Sequence, residues 1–393
     1  MTLACGAVGI EYEDCKTSAE LWAEQTGNTV LTFPMPNDPE ARLGIYEAVI
    51  RDGTGKIDVF LIDVVWPGLL ADALMDLTPY LADEANAHFP SIIANNTVGG
   101  ELKAMPMFMD TGLLYFRSDL LSKYGFEVPQ SWEDLVETAR VIQSGERAAG
   151  RLQVSGLVFQ GRDYEGLTCS ALEWIAGSGG GRIVGPDGTV TIENDRAIAA
   201  LDRAAGWIGD IVPEAVLDFD EEEARYTFQE GNAVFMRNWP YAWTLLNSPM
   251  SAVAGSVGIA PLPHEGDGAP AAALGGWQLG VSRDSANPEA AADLVRYLTS
   301  ARLQKDRAIE ASYAPTRPAL YEDPDLVARA PFLAALQGVQ PVARPSTVTG
   351  RSYDKVSEIF RAGVHDVLAG ETNAASAAAK MRTELEAIRG DGW

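Results

Sequence analysis

Two periods of apolar and polar positions run along this chain. Short apolar runs of strand length, Thr2 to Ala7, Val30 to Phe33, Ile57 to Ile62, Val154 to Gln160, Ala233 to Met236, Gly255 to Pro261 and Trp277 to Ser282, each end in polar, glycine or proline positions. Between them lie stretches with a 3.6-residue stripe. Leu135, Ala139 and Ile142 follow the helix-opening pattern Ser131-Trp132-Glu133-Asp134, and Ala291, Leu294, Val295 and Leu298 follow Asn287-Pro288. Two amphipathic helices close the chain, one striped by Val356, Ile359, Phe360, Val364, Val367 and Leu368, the other by Ala377, Met381, Leu385 and Ile388.

With helices predicted over 18–25 and 40–50, the first third reads strand, helix, strand, helix, strand, which is the βαβ rhythm of a parallel sheet. Ligands of such sheets bind at the carboxyl ends of the strands, where Asp63 stands. Glu11 lies in an acidic strand-to-helix turn and has two readings: it stabilises the positive end of a helix, or it accepts hydrogen bonds from a ligand. Asp110-Thr111-Gly112, between two strand-like runs, is too polar for a strand centre and reads as a crossing between lobes. Gly177-Ser178-Gly179-Gly180-Gly181 lacks the Lys-Ser/Thr of a phosphate loop and reads as a connection. The acidic run Asp220-Glu221-Glu222-Glu223 is expected at a helix start, facing water.

Aromatic chemistry changes the picture. Ala233 to Met236 empties into Asn238-Trp239-Pro240-Tyr241-Ala242-Trp243, where Pro240 biases Trp239 towards an extended conformation. Leu274-Gly275-Gly276-Trp277 is a second such device, with two glycines that let backbone approach a ligand closely. A lone tryptophan is most often core packing, but proline and Gly-Gly flanks mark specified backbone shape. Flat rings with an N–H or O–H at the rim suit a ligand that is apolar on its faces and polar round its edge, such as a sugar.

The whole-chain quantities exclude more than they identify. At 393 residues, 47% apolar, the chain suffices for two globular domains. Its formal charge of −25 repels phosphate backbones and anionic lipid, so no nucleic-acid partner is expected. No apolar run approaches the roughly 18 residues that span a bilayer. Three histidines in unrelated contexts form neither a metal cluster nor a Ser/His/Asp arrangement, and no cofactor fingerprint is present. Cys5, Cys15 and Cys169 have no metal spacing; buried free thiols are the expectation, with a Cys5–Cys15 bridge left open, which an oxidising compartment would permit. The opening Leu3-Ala4-Cys5-Gly6 faintly resembles a lipidation motif, and Met1 is expected to stand in for a removed signal, giving a periplasmic or extracellular, lipid-anchored location.

Val59 to Trp66, Met109 to Tyr115, Tyr164-Glu165-Gly166-Leu167, Gly231 to Trp243, Val257 to His264 and Leu274 to Trp277 together carry a resemblance over essentially the full length. The chain resembles the extracellular solute-binding proteins of ABC sugar importers, and is most similar to those for trehalose and maltose. The resemblance implies an α/β, two-lobed periplasmic-binding-protein fold, type II-like, with the ligand cleft between lobes joined by hinge crossings. It implies an N-terminal lobe of 1–110 and 285–330 and a C-terminal lobe of 111–284 and 331–393. It implies polar sugar contacts from Glu11, Arg42, Asp63, Asp110 and Arg344, a backbone contact at Gly276, and ring contacts from Trp239, Tyr241 and Trp277. Phe108 stands in the site where a tyrosine is expected, and Pro36 where a threonine is expected, so two polar contacts are absent. The implied protein is a monomer and not an enzyme; it captures a disaccharide by hinge closure and hands it to an ABC permease. Plates from one lobe and acidic acceptors from the other are expected to meet on one guest. The alternatives are a glycoside hydrolase with an aromatic cleft and a binding protein for another sugar, such as sucrose or a sulfosugar glycoside.

Overall fold

The structure is a computed structural model that describes residues 1–53, 55–266 and 268–393. Its contacts divide the chain into two units, Met1–Asp110 with Gly275–Leu333, and Thr111–Leu274 with Ala334–Trp393.

In the first unit, the strand Thr2–Cys5 lies between Leu31–Pro34 and Val59–Asp63, parallel to both. Val59–Asp63 is buried at all five positions, as a strand covered on both faces must be, and this is why its sequence is an unbroken apolar run up to Asp63. Trp277–Val281 pairs antiparallel with it. The helix Pro39–Asp52 is set by the Asp38 side chain, which accepts from the Ala41 N–H, and ends where Gly53 turns left-handed. The first helix begins at Glu11, not near Ser18: Glu11, Glu13 and Asp14 form its first turn, where carboxylates offset the exposed amide dipoles.

Cys15 on that helix is disulfide-bonded to Cys5 on the first strand, while Cys169 is free and buried. The expectation of three free thiols is therefore corrected for two of them. Cys5 is fully buried with its sulfur in the bridge, so it does not offer the thiol of a lipidation site.

In the second unit a four-stranded sheet runs Val257–Ala260, Leu113–Arg117, Ala233–Asn238, Ser155–Val158, antiparallel except for the last pair. The helices Trp132–Ala148, Glu165–Gly177, Asp195–Ala205, Tyr353–Leu368 and Ala374–Arg389 contribute side chains to its main core. Trp132, Trp174 and Trp207 cluster there with Phe159 at centroid separations of 5.1–6.5 Å, so these tryptophans are packing residues.

The unit boundaries differ from the expected ones at 284/285 and 330/331. The strand Ala271–Val281 changes partner midway: Ala271–Ala273 pairs with Gln340–Val342 in the second unit, and Trp277–Val281 with Val59–Asp63 in the first. Residues 275–284 therefore belong with the first unit. Among the described residues no helix is long and apolar enough to cross a membrane.

Candidate functional site

In the first unit the strand ends assemble one group of the expected residues. Asp63, the last residue of its strand, stands opposite Trp277 in the pairing register, and its carboxylate accepts the Val65 N–H at 3.0 Å. Trp277 meets the edge of Trp66 at 5.8 Å, and the Arg42 guanidinium lies 4.0 Å from the Trp277 ring centroid. Arg42 is wholly buried and donates twice to the Pro36 carbonyl, at 3.1 and 2.9 Å, so its plane is fixed against the indole.

Gly276 sits at φ +117°, and a Cβ there would fall 2.5 Å from the Phe108 carbonyl oxygen and 3.2 Å from the Asp110 nitrogen. Only glycine lets these two strands close to this distance, and that closeness carries Phe108 and Asp110 to the Trp277 strand. Phe108 stacks on Tyr313 at 4.4 Å and is 2% exposed. Glu11 is buried at the start of its helix, its carboxylate accepting the Val8 N–H at 3.3 Å. A side chain at Gly6 would overlap that carboxylate. Tyr46 is wholly buried and donates its hydroxyl to the Leu61 carbonyl at 2.8 Å. Burial pushes its pKa up, the Arg42 charge pulls it down and Glu11 pushes it up, so both lie within electrostatic reach of one phenol.

The second unit assembles the others. Trp239 follows the fully buried strand Ala233–Asn238, and Tyr115 donates to its carbonyl at 2.8 Å. The Arg237 guanidinium lies 3.8 Å from the Trp239 ring centroid. Arg237 is gripped by Glu173, at 2.8 and 2.5 Å, and by Gln160 at 2.9 Å. Burial works against the Arg237 charge, but the Glu173 carboxylate outweighs it and raises the guanidinium pKa. Among the described residues an arginine-backed indole thus occurs in each unit.

The acidic run lies at a helix start, as expected, but two of its residues do not simply face water. Asp220 and Glu223 form a reciprocal cap on the helix Glu221–Gln229. Glu221 accepts from the Trp239 indole N–H at 3.2 Å and the Tyr164 hydroxyl at 2.7 Å, and Glu222 accepts from the Tyr241 hydroxyl at 2.7 Å. Tyr241 is 4% exposed, and burial followed by the Glu222 charge pushes its phenol far up. Arg344 donates to Glu165 at 2.6 Å, and Glu165 also accepts from Tyr353 and from Ser357. Sequence reasoning missed Arg237, Glu221 and Glu222 as part of this group. Arg237 is two residues from Trp239, which was a usable signal; the glutamates carried none beyond their charge.

A profile of the family described as bacterial extracellular solute-binding protein matches residues 44–305. A probable ABC transporter-binding protein of Deinococcus radiodurans is 48% identical over all of this chain and 94% of its own. The structure of maltose-bound T. maritima MalE3 superposes with a TM-score of 0.92 at 38% identity, over 99% of each chain. The Streptomyces glaucescens GacH receptor, 24% identical with a TM-score of 0.83 over 100% of this chain and 99% of its own, shares the fold. Proteins of this kind bind solutes and do not transform them. On the family match and the extent of the Deinococcus likeness, this chain belongs to the bacterial extracellular solute-binding proteins.

Proposed function

We propose that this protein is the substrate-capturing component of an ABC importer and that its solute is a disaccharide, trehalose or maltose. The observation that carries the reading is the repeated device of an indole backed by a fixed arginine, Trp277 on Arg42 and Trp239 on Arg237, each with acidic residues close by. An indole clamped on one side is a rigid plate at low entropic cost, suited to the apolar face of a pyranose. Carboxylates and Arg344 then take the hydroxyls through charge-assisted bonds, each contributing roughly 1.5–3 kcal/mol. A ligand that touches residues of both units favours their approach by its differential affinity for that arrangement. The maltose in the T. maritima structure supports an α-linked glucose disaccharide. Calorimetric titration of sugar-free protein with trehalose, maltose, sucrose and glucose tests the reading. Saturable heat is expected with trehalose or maltose; folded protein giving none with any of the four overturns it.

A further inference from the structure

The first turn of the helix Glu221–Gln229 holds two adjacent carboxylates, each joined to one aromatic residue of the Trp239-Pro240-Tyr241 segment. We propose that Glu221 is a positioning residue for sugar binding, setting the tilt of the Trp239 indole. This deepens the sugar-binding reading above and rests on it.

The common role of an acid at this place is to complement the helix dipole. Here Asp220 and Glu223 already meet that need, since Asp220 accepts from the amides of Glu222 and Glu223 and Glu223 returns a bond to the Asp220 amide. Both Glu221 oxygens are turned to ring donors: one to the Trp239 N–H, the other to the Tyr164 hydroxyl. Tyr164 is in turn covered by the Arg162 guanidinium at 4.4 Å from its ring centroid. Trp239 is thereby constrained on several sides, its main-chain N–H also donating to Asn238 Oδ1 at 2.8 Å. Arg237 covers a face, the Tyr115 hydroxyl holds its carbonyl, and the Glu221 carboxylate holds the N–H edge. The first two leave rotation in the ring plane and about the side-chain bonds; the edge bond removes it. Burial raises the Glu221 pKa, which is the cost of placing a carboxylate here and a reason for it to be matched by two donors.

The test compares Glu221→Ala, Glu221→Asp and Glu221→Gln with the wild type by calorimetry, using whichever of maltose or trehalose binds the wild type. Near-UV circular dichroism and the thermal midpoint are recorded on each. Asp keeps the charge and the helix start but withdraws the oxygens by one methylene; Gln keeps an acceptor at full reach. Ala and Asp are expected to bind at least about tenfold more weakly with an altered indole band. Gln is expected to stay within about threefold of wild type. If Ala does not fold, Asp against Gln carries the comparison. Asp and Gln binding alike, or an unchanged indole band in Asp, overturns the proposal. Wild type that binds neither sugar overturns the functional reading instead.

Discussion

Trp277 and Asp63 face each other across an antiparallel strand pair within one unit. A flat ring and an acidic acceptor are thus set side by side by backbone register alone. The expectation that one half supplies the rings and the other the acids is replaced by a mixed arrangement: Trp277 with Asp63, Glu11 and Asp110 in the first unit, Trp239 with Glu221 in the second. Each unit carries both an apolar plate and polar acceptors, so neither is a purely stacking or a purely hydrogen-bonding surface.

The close approach of Phe108 and Asp110 to the Trp277 strand depends on Gly276. Gly276→Ala places a Cβ against main-chain atoms of Phe108 and Met109 and forces a side chain onto φ +117°. Urea denaturation is expected to show a loss of about 2–4 kcal/mol, since backbone cannot yield as a flexible side chain does. A loss below about 0.5 kcal/mol contradicts the close-approach argument.

The Cys5–Cys15 bridge ties the first strand to the first helix, ten residues apart in sequence. Closing so short a loop removes about 2–3 kcal/mol of chain entropy from the unfolded state. Equilibrium unfolding with and without a reductant, on wild type and on the Cys5→Ser, Cys15→Ser double variant, is expected to show that difference for wild type and none for the variant.

His88 supplies a pH dependence. Burial, and then the Arg317 charge, push its pKa down to about 3, and its Nδ1 lies 2.7 Å from the Thr316 hydroxyl. The folded protein keeps this imidazole neutral, whereas the unfolded chain takes up a proton below about pH 6.5. The stability it contributes is whole above that value and drains away as the pH falls towards 3, at up to about 1.4 kcal/mol per pH unit. Unfolding free energies measured between about pH 7 and 4.5 are expected to fall more steeply for wild type than for His88→Asn. Parallel curves contradict the assignment.

Much of the framework was legible because burial on both faces leaves a plain mark: Val59–Asp63 and Ala233–Met236 are apolar runs with polar or aromatic exits. The striped helices were legible for the same reason. The start of the first helix was not, since its opening turn is a polar acidic run that a propensity reading assigns to a turn. The crossing at 274/275 was hidden because one continuous strand exchanges partners there, and no residue type marks such an exchange. Glu221 was hidden by distance: its partners Trp239 and Tyr164 lie 18 and 57 residues away, and a charge run on a helix start is usually solvated.

The proposal stands or falls on whether Asp63 and Trp239 each take part in sugar binding. Calorimetric affinities of the better-bound disaccharide for Asp63→Ala and Trp239→Ala, measured beside wild type, test it most directly. Each variant is expected to bind at least about tenfold more weakly while keeping its thermal midpoint within a few degrees. Wild-type affinity in either one contradicts the account.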